Sequence, residues 1–356
     1  MSKAASKVKI VLAGAGLIGR RHANLVHNEE KFDLIAIIDP TKDSEHLCAS
    51  LHCEHFISLK AFLASNTPCD GIIIATPNET HKGLVLECIK HSLPCLIEKP
   101  LAVNAKQAKE IVDAIQMCNT PVLVGHHRRH HAIVHETKRL LHDGKLGKIV
   151  AAQTTWMLRK PDAYFQQGEW RKASGGGPIW INLIHEIDML RYLLGEIVEV
   201  SAFTSNKVQM TNVEDTSSIL FRFQSGVLAT VIISDATPSP WHFEGSTGEN
   251  PNIAHTGQDG LRIFGTKGAV EFPSLRNWSH SNQDGHWGDE IFQVAKASNN
   301  QNMNGEFALR AQLFHFAEVI SKAEIPIVTA NDGMENIRVA EAIMQSAKSR
   351  KHVSIN

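Results

Sequence analysis

Two residues of this chain carry the parts of an acid–base reaction. His185 lies in "GGGPIWINLIHEIDML" (175–190), where Ile179, Leu183, Ile184, Ile187, Met189 and Leu190 make the surroundings apolar. An imidazole titrates near neutral pH, so it can take a proton from a hydroxyl. Lys99, in "EKPLA" (98–102), ends an apolar run and precedes a proline. An ammonium there can stabilise charge developing on an oxygen that loses its proton. Both residues also have a plainer reading. A single histidine on an apolar helix is commonly a satisfied core residue, and a lysine at a loop start is commonly solvated. Asn182, three residues before His185, adds an amide that can donate or accept.

The segments that would position these groups fall into two patterns. In the first, "VKIVLAGAGLIGRRHANLVHN" is a strand, a glycine turn and a helix. Gly14, Gly16 and Gly19 form G-x-G-x-x-G, with Leu17 and Ile18 opening the helix. The first glycine allows the tight turn, the second lets the backbone approach a pyrophosphate, and the third lets helix and strand pack closely. A second apolar run, "DLIAIID", ends at Asp39, where a carboxylate can accept bonds from an adenosine ribose diol. Pro40 and Thr41 follow with no arginine beside them, so NAD is expected ahead of NADP; Lys42 is the nearest cation in sequence.

Strand and helix patterns keep alternating through "CDGIIIAT", "NETHKGLVLECIKHS", "PCLIEK" and "PVLVG". The alternation predicts a doubly wound parallel sheet over residues 1–125, with Asn78 and Asn104 as helix caps. Ligands of such sheets bind at the carboxyl ends of the strands. Thr76, Pro77, Asn78 and His81 of "ATPNETH", with Glu98 and Lys99, are therefore the candidate cofactor contacts. Of these, His81, at a helix start, reads more readily as structural.

Residues 126–356 read as an α+β domain with a large, mostly antiparallel open sheet. A helix is expected over 177–194, ending at Gly195. Candidate substrate contacts are Lys99, His127, Arg128, Tyr164, Trp170, Asn182 and His185, with Arg171, Trp241 and His255 as further ring and planar groups suited to a sugar. His126, His127, His130 and His131 include i,i+4 spacings, yet no carboxylate or cysteine completes a motif, so no metal is expected. "SSILFRF" and "GVLATVIISDA" are apolar on both alternating sets, which predicts a homodimer or homotetramer packed through the sheet.

Composition narrows the classes. A chain of 356 residues accommodates two domains, and a net charge of −1 gives no electrostatic case for nucleic acid or an anionic membrane. There is no apolar run long enough to cross a bilayer, and "MSKAASKVKI" lacks a signal-peptide core. The six cysteines follow neither a zinc nor a disulfide pattern, so reduced thiols in the cytoplasm are expected.

Taken together, the glycine fingerprint, "ATPNETH", "EKPLA", "GHHRRH" and "GGGPIWINLIHEIDMLRYLLGE" resemble the glucose–fructose oxidoreductase / inositol dehydrogenase / rhizopine-catabolism (Gfo/Idh/MocA) family over nearly the whole chain. The resemblance implies a nicotinamide-dependent oxidation or reduction of a secondary hydroxyl on a sugar, cyclitol or related polyhydroxylated compound. Hydride would pass to nicotinamide C4 and the proton to His185, with Lys99 assisting. Two positions depart from the family pattern. Ile181 stands where an aspartate is common four residues before the histidine, and His127 replaces the usual asparagine of "GFNRR". Two alternatives stay open: an NAD-assisted hydrolase or lyase that cleaves a glycosidic bond, and a non-catalytic cofactor-binding regulator.

Overall fold

A computed structural model describes residues 6–166, 168–173, 175–280, 285–295 and 305–355. The chain forms two compact units, one of residues 1–127 and 309–337, the other of residues 128–308 and 338–356.

The first unit is built on six parallel strands, β1 (Val8–Ala13), β2 (Phe32–Ile38), β3 (Glu54–Phe56), β4 (Gly71–Ile74), β5 (Cys95–Ile97) and β6 (Val122–Val124), in the order β3-β2-β1-β4-β5-β6. Helices α1 (Leu17–Asn28), α2 (Lys42–Leu51), α3 (Leu59–Ser65), α4 (Asn78–Lys90) and α5 (Ala105–Cys118) make the crossovers. Ile10–Leu12, Ile72–Ile74 and Leu96–Ile97 are fully buried, as strands covered on both faces require. The order reverses between β1 and β4, the crevice where such sheets bind ligands. Asn104 caps α5 by accepting from the Gln107 N–H at 2.9 Å. Asn78 is not a cap: it is the first residue of α4, and Pro77 holds the cap position with extended backbone.

Residues 309–337 belong to this unit, although their pattern reads as part of the second domain. Phe314 of α10 (Gly305–Ile320) meets Phe32 edge-on at 5.3 Å. A side chain on Gly71 would run into Ile320 and Phe316. The Val124 N–H, at the end of β6, donates to the Val328 carbonyl at 3.0 Å. An apolar-rich helix packs equally well on either core, so its sequence does not say which one it joins.

The second unit carries β7 (Ile149–Met157), β8 (Ile197–Ser205), β9 (Thr216–Phe223), β10 (Leu228–Ser234), β11 (Leu261–Gly265), β12 (Ala269–Phe272), β13 (Asn277–His280), β14 (Ile291–Ala295) and β15 (Val353–Ser354). They form one sheet ordered β14-β13-β12-β11-β7-β10-β9-β8-β15, antiparallel except for β7 beside β10. Its helices include α6 (Ala132–His142), α7 (Asp162–Gln166), α8 (Ile184–Leu194), α9 (Phe243–Thr247) and the later part of α11 (Ala330–Ser349). One face of the sheet, with Ile219, Phe221, Val231 and Ile263, shares a core with Ile187, Leu190 and Ile343. The alternate set leaves Val150, Leu220, Leu228, Ile232 and Phe264 exposed.

The helix expected over 177–194 spans those residues but is not α throughout. Ile179–Leu183 form a π turn in which the Ile184 N–H reaches the Ile179 carbonyl, and α8 follows. Gly195 ends it with φ 95°, a value that favours glycine.

Candidate active site

In the first unit, the three glycines divide their tasks as the fingerprint requires. A Cβ on Gly14 (φ 95°) would lie 2.5 Å from the Ala75 carbonyl oxygen, and one on Gly19 would lie 2.0 Å from that of Gly14. Gly16 faces open space, with nothing within 4 Å of its Cβ position. It caps α1 without any side-chain bond, so the positive end of the helix is left to a ligand's phosphates. Leu17 is 82% exposed in the first turn and Ile18 is half-buried. This shape fits a dinucleotide pyrophosphate.

Asp39 braces the same turn. Its Oδ2 accepts from the Ala15 N–H at 2.8 Å; its Oδ1 accepts from the Thr41 N–H at 2.9 Å and the Thr41 hydroxyl at 2.5 Å. Burial pushes this carboxyl up, but the bonds from Thr41 and Ala15 outweigh it and hold the group below its ordinary range. A carboxylate offers about four lone-pair directions, so one on Oδ2 stays available to a ribose hydroxyl. Arg20 of α1 reaches this turn too, donating to the Ala15 carbonyl at 3.0 Å, but it pairs with Asp43. That arginine is invisible from the residues next to Asp39 in sequence.

At the next strand ends, Thr76 and Asn78 are half-buried and Pro77 is exposed. His81 is buried instead, its Nδ1 2.8 Å from the Pro100 carbonyl and its Nε2 2.9 Å from that of Thr76. Burial pushes its pKa down against both carbonyls. The ring therefore ties two strand-end loops together, and its place among the cofactor contacts is corrected. Glu98 is likewise directed inward. Its Oε1 lies 2.8 Å from His22 Nε2 on α1, and its Oε2 accepts from the Lys99 N–H at 3.3 Å. Burial alone would raise this carboxyl, but the bond and charge of His22 bring it down to about 2. Lys99 is half-buried just past β5. His127 is half-buried, and His126 is buried with its Nε2 3.0 Å from Asn336 Nδ2.

In the second unit, His185 sits in the first turn of α8 with 8% of its surface exposed. The preceding π turn adds a residue to the usual repeat, so the Ile181–His185 spacing is not that of a straight α-helix. Asn182, half-buried, accepts through Oδ1 from Lys160 Nζ at 2.8 Å. Lys160 is buried, 3.3 Å from Asp235 Oδ2, and its ammonium lies 5.0 Å from the Tyr164 ring centroid. Burial lowers its pKa, and Asp235 opposes that. Asp235 Oδ1 accepts from Gln209 Nε2 at 2.7 Å.

Glu214 accepts from the Ile179 N–H at 3.0 Å, at the head of the π turn, and burial pushes its carboxyl up to about 7. Gly177 is needed beside it: a Cβ there would lie 2.6 Å from the Glu214 carboxylate. Sequence reasoning missed Lys160, Asp235 and Glu214. The one available signal was a lysine before a proline at a strand end, the arrangement that singled out Lys99.

Arg128 does not serve a substrate pocket. Its buried guanidinium bonds Glu186 at 2.6 Å, Glu244 at 2.9 Å and Glu249 at 3.3 Å, and stacks 3.9 Å over Phe243. A buried charge needs such partners, and here each of the three guanidinium nitrogens has one. His131 caps α6 by accepting from the Ile133 N–H, and His130 is buried. Among the described residues, no three histidine, cysteine or acidic side chains are arranged to hold a metal ion. Tyr164 is half-buried under the Arg171 guanidinium at 4.0 Å, and Arg171 lies 5.4 Å from Trp170, which is exposed. Trp241 and His255 lie exposed on either side of α9 in sequence.

The chain matches two family descriptions. Residues 8–126 match "Oxidoreductase family, NAD-binding Rossmann fold" and residues 138–355 match "Oxidoreductase family, C-terminal alpha/beta domain". It is 27% identical to 2,7-anhydro-N-acetylneuraminate hydratase of Escherichia coli (strain K12) over 65% of this chain; that match spans only 63% of the relative's length. It is 25% identical to scyllo-inositol 2-dehydrogenase (NAD(+)) of Bacillus subtilis (strain 168) over 98% of this chain and 97% of that one. An oxidoreductase from Agrobacterium radiobacter, solved in complex with NAD+, L-tartaric acid and magnesium, has the same fold, with a TM-score of 0.81 at 20% identity over 98% and 99% of the two chains. The chain belongs to the Gfo/Idh/MocA oxidoreductase family, and residues 8–126 are the family's NAD-binding Rossmann domain.

Proposed function

We propose that this protein is an NAD-dependent dehydrogenase acting on a secondary hydroxyl of a sugar, cyclitol or related polyhydroxylated compound. Bound NAD supplies the hydride acceptor, at nicotinamide C4. His185 takes the hydroxyl proton on its imidazole, a base suited to neutral pH. The Lys99 ammonium stabilises the negative charge that builds on the oxygen as that proton leaves. Asn182 orients the substrate through a hydrogen bond.

The observation that carries the reading is the presence in one chain of an NAD-binding domain, Lys99 at the carboxyl end of its β5, and His185 nearly buried after the triple glycine. The near-full-length similarity to a scyllo-inositol dehydrogenase supports a polyhydroxylated substrate. The Asp39 carboxylate, held ionised, and the pairing of Arg20 with Asp43 both disfavour a 2′-phosphate, which supports NAD over NADP.

The test is a panel of cyclitols and sugars with NAD and NADP, followed by the absorbance of reduced nicotinamide. Stoichiometric reduction with at least one polyol, and greater efficiency with NAD, is expected; no reduction across the panel would overturn the reading. The similarity to the Escherichia coli hydratase favours a second reading, a redox-neutral elimination in which the cofactor ends each turnover as it began. Product formed without accumulation of reduced cofactor would select it.

A further inference from the structure

The contact between Lys160 and Asn182 decides what Asn182 can recognise. An ammonium has only donors, so the Asn182 atom it meets at 2.8 Å must be the amide oxygen. That fixes the amide's orientation and turns its two N–H groups the other way. Among the described residues, no group accepts from Asn182 Nδ2. Freed of this contact, an asparagine can rotate to offer either end; here the acceptor end is occupied.

Lys160 is itself held on several sides. Its own N–H donates to the Asp235 carbonyl at 2.9 Å, its Nζ lies 3.3 Å from the Asp235 carboxylate, and the same Nζ lies 5.0 Å from the Tyr164 and 5.9 Å from the Trp156 ring centroid. The positive charge is therefore answered within the protein. Asp235, Glu244 and Glu214 all act on it electrostatically, and Glu244 is itself bonded to the buried Arg128. With its charge answered by the Asp235 carboxylate 3.3 Å away, Lys160 has little left to attract a substrate carboxylate. A neutral oxygen needs no such attraction, only the Asn182 donor.

We propose that Lys160 is a positioning residue that locks Asn182 as a donor, so that the site reads a neutral acceptor oxygen on the substrate: a hydroxyl near the one whose proton His185 takes. Asn182 lies three residues before His185, in the π turn that leads into its helix, so a polyol with its reacting hydroxyl at His185 would offer a neighbouring hydroxyl to the amide. The substrate class narrows to neutral polyols ahead of sugar acids. This inference rests on the dehydrogenase reading.

The experiment compares three ligands on the NAD-loaded protein: a turned-over polyol, its analogue deoxygenated beside the oxidised carbon, and the deoxyfluoro analogue, whose fluorine accepts but cannot donate. In the wild type the deoxy compound should have a KM about tenfold higher, the cost of one lost hydrogen bond, with the fluoro compound in between. Lys160→Met leaves Asp235 buried without its cation, so Lys160→Met/Asp235→Asn is made beside it. The double variant should lose the ordering of the three KM values while kcat falls less. Equal rejection of the deoxy and fluoro analogues by the wild type, unchanged ordering in the double variant, or preference for a sugar acid over its neutral counterpart would overturn the proposal. A readout without turnover separates this from a failure of the functional reading. In protein labelled with nitrogen-15 at lysine, the Lys160 ammonium should give a protected NMR signal that moves or disappears in Asn182→Ala. A signal indifferent to Asn182→Ala overturns the lock, whatever the protein catalyses.

Discussion

Replacing Glu98 with glutamine removes a buried negative charge while keeping the shape of the side chain and an oxygen for His22. The carboxyl has been displaced from its ordinary 4.5 to about 2, because His22, 2.8 Å away, favours the ionised form more than burial disfavours it. A displacement of that size corresponds to about 3 kcal/mol of stability. Because the folded value lies below the unfolded one, the contribution is complete above the unfolded value and is lost as pH falls through the folded one. Near pH 3, about 2 kcal/mol of it should already be gone. Urea unfolding of the intact chain without NAD, at a series of pH values from 7 downward, measures this. The stability gap between wild type and Glu98→Gln should be wide at pH 5 to 6 and narrow by about that amount near pH 3. A gap that stays constant with pH would mean that Glu98 titrates alike in both states, and the argument for the His22 pair would fall.

Three further outcomes are expected. Gly19→Ala places a methyl 2.0 Å from a backbone oxygen and should cost about 3 kcal/mol or more in a urea titration, whereas Gly16→Ala, open within 4 Å, should cost less than about 1 kcal/mol yet weaken NAD in calorimetry. Wild-type NAD affinity in Gly16→Ala would show that the pyrophosphate does not cross there. His185→Ala and Lys99→Ala should each lower kcat by about a hundredfold or more with nearly unchanged NAD affinity; either variant with wild-type turnover across the pH range drops out of the mechanism. Light scattering should report a dimer or tetramer, shifted toward monomer by Leu220→Glu with Leu228→Glu on the exposed sheet face, and a monomeric wild type at micromolar concentration would refute that packing.

The first sheet was legible because its buried strands and its glycines obey local rules: apolar runs covered on both faces, and a turn that only small residues allow. Asn104 could be read as a cap because capping is decided within four residues. The same reasoning placed the cap one residue late at Asn78, where Pro77 already supplies the extended backbone. What escaped were pairings between distant residues. His22 with Glu98, Lys160 with Asn182 and Asp235, and Arg128 with Glu186, Glu244 and Glu249 are set by how strands and helices stack, and nothing next to each residue announces its partner. Arg128 is the instructive error: beside candidate site residues it reads as a ligand contact, yet three carboxylates from elsewhere in the chain claim it. The π turn was hidden as well, since an extra residue in a helix leaves the apolar composition unchanged.

The discontinuity of the first unit bears on how the protein is made. Its sheet is complete once residue 127 has been synthesised, but the segment that covers Gly71 and bonds Val124 lies at 309–337. At ordinary rates of translation the ribosome needs about 10 to 40 s to make the intervening chain. For that interval the nascent unit exposes the apolar surface that Phe314, Phe316 and Ile320 later cover, and the Val124 amide waits for its acceptor. An unfinished sheet margin of this kind is a template for wrong pairing. The vulnerable stage in the life of this protein is therefore its synthesis, and a slow codon or a stalled ribosome between residues 127 and 337 prolongs it.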